Sequence, residues 1–397
     1  APTNEVGAML RRLAFHVVVF SVIRATVSLK PSAVGSGEHD AKTTLHGTSS
    51  LRSSEEQVAH QYYMATGRFP PWFLRQDGVE ADGHMHVVYA LEATSNVLNA
   101  ALVSMVTLGR HMKEPHLLTI HVIGENVEVI EKELVACFFN FMGDQAAPHV
   151  ELHELHALPD VMLQFAHRTL PPQGQAQLDM DGFMRRTKLQ MSRFYLHQYL
   201  PASASRALWL DAETLVVADI MPLRRLKMKT AVAAVEDGTG LEDETAFLRQ
   251  ASANFSQAQS FIPAPGAKHF KTSVLLVDLR EWRRRQLHTE LEALAALVHD
   301  HRTVDRLLLN LGLHSQFDML DERWNAECII SETGAADVLE AASIVHCELS
   351  QPDGRKKLPK GLWRLYNECG RCISGQLMPA VPRAASTASA IEIGAAG

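Results

Sequence analysis

The stretch Ala207-Leu-Trp-Leu-Asp-Ala-Glu-Thr-Leu-Val-Val-Ala-Asp-Ile220 runs through four apolar residues, stops on two carboxylates one residue apart, and resumes as a second apolar run. A short continuous apolar run bounded by polar residues suits a strand buried on both faces. Asp211 and Glu213 leave the end of that strand, and in open α/β sheets ligands collect outside the carboxyl ends of the strands. Two carboxylates there can turn toward one point if the backbone bends, and hard divalent cations favour such oxygen ligands. By spacing alone the pair is a weak signal, and a solvated turn is the commoner reading.

Upstream of this block, Phe183, Leu189, Phe194 and Tyr195 support a helix over 183–199, and Pro201 closes it. Downstream, 214–220 and 230–235 read as strands. Nearer the amino terminus, Met85-His-Val-Val-Tyr-Ala-Leu91 is predicted as a first strand. A helix capped by Asn96 follows, with Val97, Leu98, Ala101, Leu102, Met105 and Leu108 at helical spacing. Then come a strand over 117–123, a helix from about 127 to 141, and a strand over 149–155. This alternation builds βαβ units, whose right-handed crossovers cover both faces of a parallel sheet. The predicted class is α/β.

A length of 397 residues is a soft prior for two or three units of ~150 residues, or for one enlarged α/β domain. Basic residues number 38 against 45 acidic, a net charge of −7. Such a balance argues against nucleic acid as a partner, because phosphate-backbone affinity needs a concentrated positive surface. Cysteines at 137, 328, 347, 369 and 372 are too few for a disulfide-dense scaffold and match no four-ligand zinc spacing. Cys369-Gly-Arg-Cys372 reads as structural or disulfide-forming, with redox chemistry as the alternative.

Met9-Leu-Arg-Arg, an apolar run over 13–23 and the small residues of Arg24-Ala-Thr-Val-Ser28 have the layout of a secretory signal. A buried apolar segment or a translated leader is the alternative. The run is too short for a transmembrane helix, and Arg24 ends it. If the signal reading holds, Asn254-Phe-Ser256 is a usable glycosylation sequon. The expected organisation is a signal or leader over 1–29, a polar stem over 30–83, one domain over 84–370 and a disordered tail over 371–397.

The blocks Arg193-Phe-Tyr-Leu-His-Gln-Tyr-Leu-Pro201 and Ala207–Ile220 together resemble a signature of glycosyltransferase family 8, the retaining, UDP-sugar-using group. Phe270-Lys-Thr-Ser-Val-Leu-Leu-Val-Asp-Leu-Arg-Glu-Trp282 is similar to the family's FNxGVxxxDLxxW block. Leu307-Leu-Leu-Asn310 and Arg323-Trp-Asn325 resemble its later DQDxLN and xxWN elements, in the right order. The resemblance spans roughly residues 84–366. It implies a GT-A-type, Rossmann-like nucleotide-diphospho-sugar transferase fold, with a mixed, mostly parallel central sheet flanked by helices.

The resemblance also implies a site. Asp211, Glu213 and His346 fall on the family's metal ligands and are expected to converge on Mn²⁺ or another divalent cation. Ala90 and Glu92 fall where uridine binds. Arg193, Asp211 and Ala212 lie at the diphosphate and donor sugar, and Lys357 and Lys360 at phosphate. Read without the resemblance, His346 is a structural histidine among 20 and the lysines are a solvated basic turn. Several positions depart from the family pattern. Glu213 replaces an aspartate, Lys271 an asparagine and Ser273 a glycine. The DQD element reads Asp305-Arg306-Leu307, so Arg306 stands for the glutamine below the anomeric carbon.

Asp305, Arg306 and Lys271 are the candidate catalytic residues, the last two as extra positive charge toward a diphosphate. The implied activity is retaining transfer of a hexose or uronic acid from a UDP-sugar to a glycan or glycoprotein acceptor. That acceptor is expected to be contacted by the loop-like segment 236–268. The implied compartment is the secretory pathway, in the Golgi or ER lumen; without a signal, secretion or a cytoplasmic location is the alternative. A degenerate member that binds nucleotide-sugar or glycan without turnover is the competing reading.

Overall fold

The computed structural model describes residues 83–143, 147–168, 180–238, 268–297, 304–313, 316–328, 341–347, 349 and 360–376. All of them belong to one unit of the chain, Glu55–Gly397. The expected leader, most of the stem, the Asn254 sequon, most of 236–268 and Lys357 lie outside the described residues, as do the side chains of Asp305 and Lys360.

Strand β1 (Met85–Leu91) runs parallel to β2 (Leu118–Gly124) on one side and to β4 (Arg206–Leu210) on the other. β2 pairs in parallel with β3 (His149–Glu154). Beyond β4 the direction reverses, because β8 (Val274–Asp278) is antiparallel to both β4 and β6 (Val232–Asp237). β6 also carries β7 (His269–Phe270), antiparallel, and β9 (Asp318–Leu320), parallel. The sheet order is β3-β2-β1-β4-β8-β6-β7, with β9 attached to β6. A second sheet joins β10 (Ala326–Glu327), β11 (Ile344–His346) and β5 (Thr214–Val216) in that order.

The continuous apolar strands follow from burial on both faces. Along β1, Met85, Val87, Tyr89 and Leu91 enter one core, while Val88 enters the other. The first core is closed by α1 (Ser95–His111), α2 (Ala136–Met142) and α8 (Lys360–Ile373). The second is closed by α3 (Asp160–Arg168), α4 (Met180–Met191), α5 (Leu279–Arg285), α6 (Leu287–Leu297) and α7 (Val304–Gly312). Asp278 fixes the start of α5 by accepting from the N–H groups of Arg280 and Glu281, a cap worth about 1 kcal/mol.

Several sequence expectations shift. The first helix begins at Ser95, preceded by Thr94, so Asn96 lies inside it and is not its cap. The helix expected over 127–141 is Val127–Ile130, a π turn over Glu131–Val135, then α2. The helix expected over 183–199 ends as α4 at Met191 and continues through a 3₁₀ turn, Ser192–Tyr195. The strand expected over 214–220 stops at Val216, and Asp219 instead accepts from the N–H of Met221.

Cys369 and Cys372 do not bond to each other. Cys372 pairs with Cys137 of α2, Cys328 pairs with Cys347, and Cys369 is a buried thiol. Burial pushes the Cys369 thiol up to about 12, which makes it inert as a nucleophile. The folded domain extends past 370, because α8 reaches Ile373. Among the described residues, no helix is long and apolar enough to cross a membrane.

Candidate functional site

β4 ends at Leu210 in the middle of the main sheet, and the chain crosses into the second sheet through Asp211-Ala-Glu213. The crossing is a closed turn. The N–H and Oγ1 of Thr214 donate to the Asp211 carbonyl at 3.1 and 2.8 Å. A buried hydroxyl chain anchors Thr214 from beneath: its Oγ1 lies 3.1 Å from Ser104 of α1, which lies 2.9 Å from the Tyr89 hydroxyl. Thr107 accepts from the N–H of Val216 at 3.2 Å and ties β5 to the same helix.

From the other side, the Asp211 N–H donates to the Ser273 carbonyl at 2.9 Å. The Ser273 hydroxyl meets the buried Asn325 amide, with Nδ2 at 3.1 Å and Oδ1 at 3.2 Å. A smaller clamp holds the next segment: Asn310 of α7 accepts from the N–H of Phe270 at 2.8 Å and donates to its carbonyl at 3.1 Å. These two asparagines explain why the elements around 310 and 325 end in that residue type. An amide supplies a donor and an acceptor to one buried backbone or hydroxyl partner.

The Asp211 carboxylate is held. Its Oδ1 accepts from Trp209 Nε1 at 2.9 Å and lies 3.5 Å from Arg193 Nη2. The Arg193 guanidinium stacks over the Trp209 ring, 4.5 Å from its centroid. It also donates to the carbonyls of Gln190 and Thr272, each at 2.9 Å. Arg193 is 3% exposed. A cation so deeply placed requires this full set of partners.

Of the expected nucleotide-contacting residues, Ala90, Glu92, Arg193, Asp211 and Ala212 line one cleft of about 230 Å³. Glu213 lines it too, with Arg186, Gln190 and Trp209, three residues that sequence reasoning gave no role. Glu92 stands 3.6 Å from Arg185 and 3.8 Å from Arg186 of α4. His346 arrives from a strand 130 residues downstream. β11 pairs antiparallel with β5 so that His346 sits opposite Thr214, and the Cys347 N–H donates to the Glu213 carbonyl at 2.9 Å.

The three expected metal ligands are thus neighbours through the backbone, yet their ligating atoms are not gathered within 4.8 Å of one another. The engagement of Asp211 by Trp209 and Arg193 accounts for its turn toward β4. Lys271 and Arg306 are drawn to acids: Lys271 Nζ lies 2.8 Å from Glu327, and Arg306 pairs closely with Asp237.

Comparison with known proteins places this geometry. "Probable galacturonosyltransferase-like 3" of Arabidopsis thaliana is 24% identical over 143 residues, covering 34% of this chain and 40% of that protein. "Glycosyltransferase 8 domain-containing protein 1" of Mus musculus is 21% identical over 230 residues, covering 52% of this chain and 61% of that protein. The matched region therefore spans less than two thirds of either relative. Among solved structures, the galactosyltransferase LgtC in complex with donor and acceptor sugar analogues is 18% identical, with a TM-score of 0.45 over 75% of this chain and 98% of that one. The family model for glycosyl transferase family 8 matches residues 86–347, a stretch that runs from the first strand to the end of β11. With its mixed, mostly parallel sheet flanked by helices, the domain has a GT-A fold, and the chain belongs to glycosyl transferase family 8.

Proposed function

We propose that this protein is a retaining, metal-assisted glycosyltransferase that moves a hexose or uronic acid from a UDP-sugar to a glycan or protein-linked acceptor. The observation that carries this reading is one cleft at the carboxyl end of β4, holding Asp211, Glu213 and Arg193, with the strand of His346 paired beside it.

The charge of the cleft supports a divalent cation. Glu92, Asp211 and Glu213 line the cleft with Arg186 and Arg193, and Arg185 stands 3.6 Å from Glu92, so the carboxylates offset the arginines and leave no surplus positive charge for a diphosphate. Two carboxylates and an imidazole suit Mn²⁺ or a similar ion, and Asp211, Glu213 and His346 would hold it once their side chains turn toward one point. Once bound, such an ion neutralises the charge that develops on the leaving diphosphate. Ala90 and Glu92, at the end of β1 and on the wall of the cleft, would contact uridine. Arg193 is preorganised by Trp209, Gln190 and Thr272, so it stabilises developing negative charge without first being ordered. Lys271 and Arg306 add positive charge there if their pairs with Glu327 and Asp237 open. A front-face route, in which the acceptor hydroxyl attacks on the side the UDP leaves, needs no strong protein nucleophile. Two disulfides favour an oxidising compartment, in keeping with the secretory pathway.

The test is UDP release from a panel of UDP-sugars, with Mn²⁺ or with chelator, in the native chain and in Asp211→Asn/Glu213→Gln. Mn²⁺-dependent release that falls at least 100-fold in the double variant is the expected result. The altered Asp305-Arg306-Leu307 element favours a second reading, a nucleotide-sugar or glycan binder without turnover. Thermal stabilisation by UDP without release from any donor selects that reading, and neither release nor UDP binding rejects both.

A further inference from the structure

Away from the cleft, β3, the end strand of the main sheet among the described residues, carries an unusual set of side chains. Along β3, His149, Glu151 and His153 alternate at the period of a strand and so share one face. The parallel register sets His121 of β2 directly opposite Glu151. His121 Nδ1 lies 2.9 Å from His153 Nε2 and 3.3 Å from Glu151 Oε2, and His153 Nε2 lies 3.9 Å from the same oxygen. Among the described residues, this is the one group of three or more histidine, cysteine, aspartate or glutamate side chains whose ligating atoms all lie within 4.8 Å of one another.

We propose that His121, Glu151 and His153 form a second metal site, for a borderline divalent transition ion of the Zn²⁺ class, independent of the donor cleft. Separations of 2.9 and 3.3 Å suit bonds of about 2.0 Å to one tetrahedral ion, and a small turn of the half-exposed Glu151 brings the 3.9 Å pair to the same spacing. Two imidazoles and one carboxylate are a donor set for such an ion, and the solvent-facing side of the half-exposed Glu151 leaves room for a fourth ligand from water.

The surrounding groups have the arrangement that metal-binding histidines require. With Nδ1 on the ion, His121 keeps its proton on Nε2, and that atom lies 2.8 Å from Nδ1 of the buried His86 on β1. His149 Nε2 stands 3.3 Å from the other carboxylate oxygen, Glu151 Oε1, and steadies it. The His153 ring meets the edge of Tyr199, 5.9 Å between centroids. The ion would pin edge strand β3 to β2, where half-exposed residues supply little core of their own.

The inference does not depend on the proposed transferase activity. Its test uses the full chain carrying Asp211→Asn and Glu213→Gln, which removes the cleft carboxylates as competitors. After chelator stripping, Zn²⁺ is titrated against a chromophoric chelator, and Co²⁺ is added as a spectroscopic probe. One bound equivalent is expected, with Co²⁺ d–d bands of four-coordinate intensity. Affinity should fall at least 10-fold in Glu151→Gln and in His153→Asn, and about 10-fold in His86→Phe through the lost partner of His121. Far-UV circular dichroism of the metal-free variants checks that they fold. No bound equivalent in the parent, or binding unchanged by Glu151→Gln and His153→Asn together, overturns the proposal. If a variant fails to fold, absence of the Co²⁺ bands in the parent does so on its own.

Discussion

Asp211 illustrates how a single carboxylate is assigned before any ligand arrives. Its backbone is fixed by Ser273 and Thr214, and its side chain by the indole of Trp209 and the guanidinium of Arg193. Trp209→Phe keeps a ring beneath Arg193 and removes one N–H from a half-buried carboxylate. A hydrogen bond to a charged group contributes about 1.5–3 kcal/mol, and the part felt in transfer is expected to lower kcat/KM about 10-fold. The UDP-release assay measures this, and urea unfolding measures the accompanying loss of stability, expected at about 1.5 kcal/mol. Arg193, Asp211 and Glu213 were legible in the sequence because their blocks match a family pattern. The donor role of Trp209 was not, because alternation along an ideal strand does not say that the chain turns sharply at Asp211. Two of the three proposed edge-site ligands, Glu151 and His153, lie in His149-Val-Glu-Leu-His153, where potential donors recur at every second residue. Nothing in the chain order, however, announces that His121 stands opposite Glu151.

At the scale of elements, the sequence read strands better than helices. Strands β1, β2 and β4 fell within a residue or two of expectation, because a two-sided buried strand is a dense apolar run. Helix ends moved more. The segment after Met191 tightens into a 3₁₀ turn where Arg193 reaches under the cleft, a tertiary demand that periodicity does not encode. The junction between this turn and α6 contains His197 and His288, both buried, with ring centroids 4.5 Å apart. Burial, then the neighbouring His288 and Arg283, hold His197 well below the ordinary histidine value of 6.5. The sign follows from proton linkage. Below pH 6.5 the unfolded chain takes up a proton that the folded chain refuses, so stability falls as pH falls, by about 1.4 kcal/mol per pH unit. His197→Phe should flatten the fall between pH 6.5 and 5 by about that slope, as read from urea midpoints at each pH. An unchanged slope would show that His197 accepts its proton while folded.

For the whole molecule, composition allowed two or three domains, and the described residues, from the first strand to α8, all fall in one α/β unit with two disulfides. Cysteine spacing could not give their pairing, since Cys137 and Cys372 meet only when α2 and α8 pack on the same core. Their bond spans 235 residues, and closing so long a loop restricts the unfolded chain strongly. Cys137→Ser/Cys372→Ser should therefore lose about 2–5 kcal/mol of stability, measured by urea unfolding under non-reducing conditions. The same span has a consequence for biosynthesis. At about 5–20 residues per second, Cys372 is made tens of seconds after Cys137, whereas Cys328 and Cys347, 19 residues apart, follow each other almost at once. During that interval Cys137 is exposed to mispairing with each new thiol. Packing of α2 against the growing sheet, which hides its sulfur before the later cysteines appear, becomes a condition for reaching the correct covalent form.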